Sequence, residues 1–184
     1  MTDFRTASFA LAAMAISVVT GQPGRAVAQA GRMPMGKVRP DKPPVTSAVD
    51  ITGKWKCTSS TLVDGLTIAH GGKVDYAPGG GSVELAMLRL SKDSAVLDYK
   101  FASSGTWKIT GKRLCETLGS VKIEAANKAA ATAPGQQILG GLLATYNGMI
   151  ASGKATCFEI VRFDTNGMAL QSIDDKSLMT TCSR

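Results

Sequence analysis

Ile51, Gly53, Trp55 and Cys57 alternate with Thr52, Lys54, Lys56 and Thr58 at a period of two. That period puts one set on a buried face and the other in water, so 50–60 is expected to be a half-buried strand. The alternation returns at 95–101, with Ala95, Leu97, Tyr99 and Phe101 inward and Asp98 and Lys100 outward. It returns again at 105–109, where Trp107 and Ile109 share a face, and Ser103-Ser104 is expected to break the chain between the two runs. Further strands are expected at 73–76, 82–91, 154–163, 168–172 and 178–183. Residues 113–117 and 121–125 read as one strand interrupted near Gly119. Residues 62–72 read as an irregular connection with a turn at Asp64-Gly65. Turn chemistry separates these runs at Ala77-Pro78-Gly79-Gly80-Gly81, Ser91-Lys92-Asp93-Ser94, Thr110-Gly111-Lys112 and Asn166-Gly167. Short, evenly spaced strands with tight turns predict an all-β sandwich or barrel. The chain is read as an antiparallel barrel with Trp55 sealing one end.

One segment breaks the pattern. Ile138, Leu139, Leu142, Leu143, Tyr146, Met149 and Ile150 recur at helical spacing, so 134–152 is expected to be a one-sided helix ended by Gly153. Its opposite stripe, Gly140, Ala144 and Gly148, is small. Interior glycines cost about 1 kcal/mol each in helix propensity, so close packing of that stripe against backbone is expected. The helix is read as a cover over one barrel end, with a movable lid as the sharper alternative.

The N-terminus carries a different signal. Met1 to Arg5 is a short charged start, 7–20 is small and apolar, and Ala28-Gln29-Ala30 is a small-x-small site. Together they predict a signal peptide over 1–30, cut after Ala30, and a periplasmic or secreted protein. The apolar core is too short to span a bilayer comfortably, and no later stretch is long and apolar enough. Residues 31–49 hold Pro34, Pro40, Pro43 and Pro44 with Arg32, Lys37, Arg39 and Lys42, and read as a disordered basic leader. The folded domain is then 50–184.

Composition narrows the chemistry. The 184 residues carry a formal charge of +7, spread rather than clustered, which favours general solubility over a dedicated polyanion site. Aromatic residues make up only 5% of the chain, too few for a nucleic-acid stacking face. Cys57, Cys115, Cys157 and Cys182 form an even set, which implies two disulfides in an oxidising compartment. Three connectivities are open; closure of a barrel, which makes first and last strands neighbours, favours Cys57–Cys182 with Cys115–Cys157. There is no Cys-x-x-Cys and only one histidine, His70, so neither a metal site nor a cofactor is expected. His70 lies beside Gly71-Gly72 with no serine elbow anywhere, reads as an exposed loop residue, and gives no catalytic triad. Glu84, Glu116, Glu124 and Glu159 could meet inside a barrel as a hydrolytic pair, but no pattern selects them. Gly79 to Gly81 lacks the Gly-Lys-Ser/Thr ending of a phosphate loop and precedes a strand.

Gly53-Lys54-Trp55 on the first strand resembles the Gly-x-Trp motif of the lipocalins and the wider calycin group. Gly105-Thr106-Trp107 and the final Thr180-Thr181-Cys182-Ser183-Arg184 are similar to small secreted bacterial lipocalin-like domains. The resemblance implies an up-and-down barrel of eight or nine strands over about 49–184, able to hold a small apolar ligand. It also implies that Trp55 sits at the closed end under a late arginine, with Arg162 and Arg184 as candidates.

The leading expectation is an exported, non-enzymatic protein that binds an apolar small molecule or lipid. The inward candidates are Trp55, Leu85, Met87, Leu97, Tyr99, Phe101 and Trp107, with Ile138, Leu142 and Tyr146 as the lid. The alternative is a docking module, such as a hydrolase inhibitor or an envelope-complex accessory subunit, meeting a protein partner through the 62–72 loop or the basic leader.

Overall fold

The computed structural model describes residues 49–184. The expected signal peptide and nearly all of the basic leader lie outside them. Eight strands run in chain order: β1 (Gly53–Val63), β2 (Leu66–Tyr76), β3 (Gly81–Lys92), β4 (Ala95–Thr110), β5 (Arg113–Ala125), β6 (Thr156–Phe163), β7 (Gly167–Ser172) and β8 (Met179–Ser183). Helix α1 (Ala133–Ser152) falls between β5 and β6. Each strand pairs antiparallel with the next, and β8 returns to β1, giving a closed up-and-down barrel.

Two halves of unequal length make this barrel. β1 to β5 are 11 to 16 residues long, whereas β6 to β8 have 5 to 8. The short meander meets the long sheet along two brief ladders. β8 pairs with β1 only over Lys56–Ser59, and β6 pairs with β5 only over Arg113–Glu116. Each ladder contains a disulfide between directly opposite residues, Cys57–Cys182 in one and Cys115–Cys157 in the other. The expected pairing is therefore the observed one, and it staples the two shortest seams of the ring.

Several expected boundaries move. The stretch 62–72 is not a loop. Asp64 and Gly65, both at positive φ, form a two-residue hairpin turn, and strand pairing continues on both sides of it. Gly71 and Gly72 suggested irregularity but are fully paired. Gly72 suits a place where strands crowd together: a Cβ on it would collide with the Leu85 carbonyl oxygen and with Ala86. β4 likewise runs through Ser103-Ser104, and the expected break is a register shift against β5 at Ser104/Gly105. β5 is the single strand expected, and Gly119 is the extra residue left without a partner at that same register shift.

The interior forms two apolar cores. At the sealed end, Ile51, Trp55, Val74, Tyr76, Leu114, Ile160, Met168 and Leu170 pack with the Cys57–Cys182 bridge. The Trp55 indole N–H donates to the Ile51 carbonyl at 2.7 Å, and the Arg184 guanidinium lies 4.4 Å above the ring. Of the two candidate arginines, Arg184 covers the tryptophan. At the other end, Leu66, Leu88, Leu90, Leu97, Tyr99, Phe101 and Ile123 pack against Ala130 and Leu142. Thr132 caps α1, and the Tyr99 hydroxyl donates to the Gly135 carbonyl at 2.9 Å, tying the helix start to β4. The helix faces the barrel with the expected residues: Leu142 is buried, and Ile138, Leu139, Leu143 and Tyr146 are half-buried.

The small stripe behaves differently from expectation. Gly140, Ala144 and Gly148 are exposed, and a Cβ on either glycine would meet nothing within 4 Å. No close approach compensates their low propensity, because the helix packs through its opposite, large-residue face. Gly148→Ala is therefore expected to raise stability by about 0.5–1 kcal/mol, read as an upward shift of the urea midpoint.

Candidate functional site

Between the two cores the inner wall turns polar. Strand register places His70 opposite core residue Leu88, Glu84 opposite core residue Val74, and Glu116 opposite Trp107. All three therefore point inward, as does Ser103 opposite Glu84. His70 Nε2 lies 3.7 Å from Glu84 Oε1, and Tyr76 donates its hydroxyl to Glu116 Oε1 at 2.7 Å. The His70 ring stands perpendicular to Phe101 at 5.4 Å, and Phe101 meets Tyr146 of α1 at 5.2 Å.

The electrostatics follow from a desolvated wall. Burial pushes the Glu84 carboxyl up to about 7, against a hydrogen bond from Ser103 that favours its charged form. Burial also raises Glu116, opposed by the Tyr76 hydrogen bond and assisted by the nearby Glu84. Burial holds His70 below its ordinary value, and it pushes the Tyr146 hydroxyl up to about 12 with help from Glu84. Burial thus works against a fixed ion pair between His70 and Glu84, favouring the neutral imidazole and the protonated carboxyl. Yet water reaches both, since 28% of the His70 side chain and 24% of Glu84 remain exposed.

The unequal barrel halves account for that access. Beyond Ser59, β1 has no β8 partner, and beyond Glu116, β5 has no β6 partner. α1 packs along β5 and fills that side. On the far side, the inward-facing Ser59, Thr61, Ile68 and His70 are only half-buried.

The structure divides the expected ligand residues. Trp55, Leu97, Tyr99, Phe101 and Leu142 are buried within the two cores. Trp107 is half-buried against the sealed-end core and donates its indole N–H to the Gly81 carbonyl at 3.0 Å. Ile138 and Tyr146 line the helix side of the other core. Leu85 and Met87 face outward instead, 63% and 41% exposed. Apolar residues sit at both parities of β3, and the outward frame is marked by Arg89, whose guanidinium holds Asp98 at 2.7 Å on the outer face. The missed inward residue is His70, which is not on a loop. The series Leu66, Ile68, His70, Gly72, Val74, Tyr76 has the period of a strand, and the adjacent glycines hid it. Of the four glutamates considered, Glu84 and Glu116 are inside; Glu124 and Glu159 are outside, beside Lys122 and Lys176.

The outer face holds two adjoining grooves across the long sheet, of about 730 and 540 Å³, which share Thr58, Gly71 and Met87. The larger has Leu85 and Met87 among Lys56, Lys73, Lys100 and Lys122, with Glu124 as its only carboxylate. Among the described residues no group of three or more His, Cys, Asp or Glu side chains could hold a metal, and no helix is long and apolar enough to cross a membrane.

Set beside known proteins, the chain matches no protein-family model, and no curated protein matches it significantly. The fold defines its class: an eight-stranded, antiparallel, disulfide-stapled up-and-down barrel with one inserted helix.

Proposed function

We propose that this chain is an exported, non-enzymatic binding protein of lipocalin-like plan, and that it takes a small molecule with an apolar body and a protonated amine head. The observation that carries this reading is the wet His70–Glu84 pair on an otherwise desolvated inner wall. The inward neighbours of Glu84 include Val74 and Ser103 across the sheet and His70, Tyr76, Glu116 and Tyr146 nearby, with no lysine or arginine among them, so its carboxylate lacks a permanent counter-charge. An ammonium would supply it, and the Phe101 and Tyr146 rings suit a cation beside them. The apolar body would lie against Ile68, Ile138 and Tyr146. The sequence of residues 1–30 and the two disulfides support export.

Calorimetric titration with dodecylamine tests this, with dodecanoate as the counterpart of opposite charge. Dodecylamine is expected to bind at least about tenfold more tightly near pH 8 than near pH 5, because Glu84 must be ionised. Glu84→Gln is expected to weaken it about tenfold. Dodecanoate binding as well as the amine, with Glu84→Gln indifferent, would sink the reading.

The free protein should carry the same signature. Glu84 keeps its proton in the folded state up to about 7, against an ordinary value of 4.5. The folded state therefore binds more protons than the unfolded state in that window, and this group's contribution to stability falls as pH rises from about 4.5 through 7. After allowance for its partial exposure the fall is about 2 kcal/mol. His70, held low by burial, gives the opposite slope below its ordinary 6.5. Urea melts of wild type and Glu84→Gln from about pH 4 to about pH 8 isolate the Glu84 component as their difference.

A further inference from the structure

The outer face carries chemistry that an inner binding site does not use. Lys56 and Lys73 stand directly opposite each other on β1 and β2, an arrangement that costs stability where no anion intervenes. Lys73 in turn faces Leu85 on β3, which faces Ala102 on β4, which faces Lys122 on β5. The result is a row across the long sheet with lysines at its ends and an exposed leucine in its middle. Met87 and Lys100 lie opposite each other in the next stretch. The floor is low because Gly71 and Ala102, at outward positions, contribute little bulk there. Lys122 engages Glu124, leaving a lysine excess around the apolar centre.

We propose that this groove docks an acidic, extended segment of a protein partner, with carboxylates on the lysines and a large apolar side chain on Leu85 and Met87. Three observations select that occupant. The groove, about 730 Å³ in volume, follows a row of paired residues from β1 to β5, which fits an extended segment. The chain's own leader cannot neutralise it, since Arg32, Lys37, Arg39 and Lys42 outnumber Asp41 there. A second copy meeting it face to face would set the same lysines against each other. Exposed apolar side chains rimmed by charge suit a docking patch, with the lysines steering approach and the apolar centre holding it.

Fluorescence anisotropy on the full chain tests the proposal. The probes are a labelled peptide of alternating glutamate and leucine, its glutamine–leucine counterpart and its glutamate–serine counterpart. The glutamate–leucine peptide is expected to bind at least about tenfold more tightly than either counterpart, and more weakly as salt rises. Lys56→Glu with Lys73→Glu should weaken it about tenfold or more, and Leu85→Ser severalfold. Lys128→Glu with Lys154→Glu, exposed on either side of α1, should leave it unchanged. If the charge reversal disturbs folding by circular dichroism, Lys56→Gln with Lys73→Gln serves in its place. Equal loss from the Lys128 and Lys154 changes would mean diffuse charge and overturn the proposal. Indifference to Leu85→Ser would do the same, as would Lys73-dependent binding to phosphatidylglycerol vesicles without peptide binding.

Discussion

Opening the Cys57–Cys182 bridge, by replacing both residues with serine, is expected to lower the free energy of unfolding by about 3–5 kcal/mol under non-reducing conditions. The bridge spans 125 residues of sequence, so its loss frees a long loop in the unfolded chain. The chain-entropy relation gives about 5 kcal/mol for such a loop and about 4 kcal/mol for the shorter Cys115–Cys157 loop, whose separation is 42 residues. Both bridges matter for a second reason, which lies in the folded state. The ladder between β1 and β8 covers only Lys56–Ser59, too short to hold the seam against fraying. A domain of this size has about 5–15 kcal/mol in total, so removing both bridges should detach the β6–β8 meander altogether. Urea melts monitored by tryptophan fluorescence measure the first effect, and hydrogen exchange at Met168 to Leu170 measures the second. Unchanged melts and unchanged protection would show that the seams need no staple.

Trp55→Ala is expected to cost about 3–5 kcal/mol, as truncation of a large aromatic in a close-packed core does. Trp55 is 1% exposed. Its ring packs in the sealed-end core and meets Phe163 at 6.1 Å. Its N–H satisfies the Ile51 carbonyl, and its upper face carries Arg184. Trp55→Phe fills part of the volume but leaves the carbonyl unpaired and weakens the cation contact, so a loss of about 2 kcal/mol is expected. Arg184→Ala removes an exposed cover and an exposed hydrogen bond to the Thr52 carbonyl, and should cost about 1 kcal/mol. A ranking by urea melts in which Arg184→Ala equals Trp55→Ala would place the stability in the surface contact rather than the core.

The strands and the helix position were legible from local pattern, whereas the disulfide pairing followed only once the barrel was taken to close. The period-two runs around Trp55, Tyr99 and Trp107 each have one face that must be buried, and a one-residue slip would expose all of it. The interval 134–152 announced itself because helical spacing sustained over that length cannot be mistaken for a strand. What failed were positions where local chemistry gave no frame. Gly71-Gly72 looks like a loop in sequence, yet in place it is the thin part of a wall where two strands crowd together. In 83–90 large apolar residues occupy both parities, so Leu85 and Met87 could be assigned to either side until Arg89 met Asp98.

The candidate site was less legible still. Glu84 and Glu116 were nameable as carboxylates that a closed barrel can bring together, but Glu124 and Glu159 had equal standing by type. Only register across the sheet sends the first pair inward to His70 and Tyr76 and the second pair outward to lysines. Alternation, turn residues and cysteine count are properties of neighbours along the chain, and they suffice for an all-β domain of short strands with two disulfides and one inserted helix; closure into a barrel joins its two ends. The polar level between the two cores, its displaced proton equilibria and the lysine-edged outer groove were decided by the tertiary structure alone. Each joins residues from separate strands, and which face a residue occupies there depends on pairing partners that no local stretch contains.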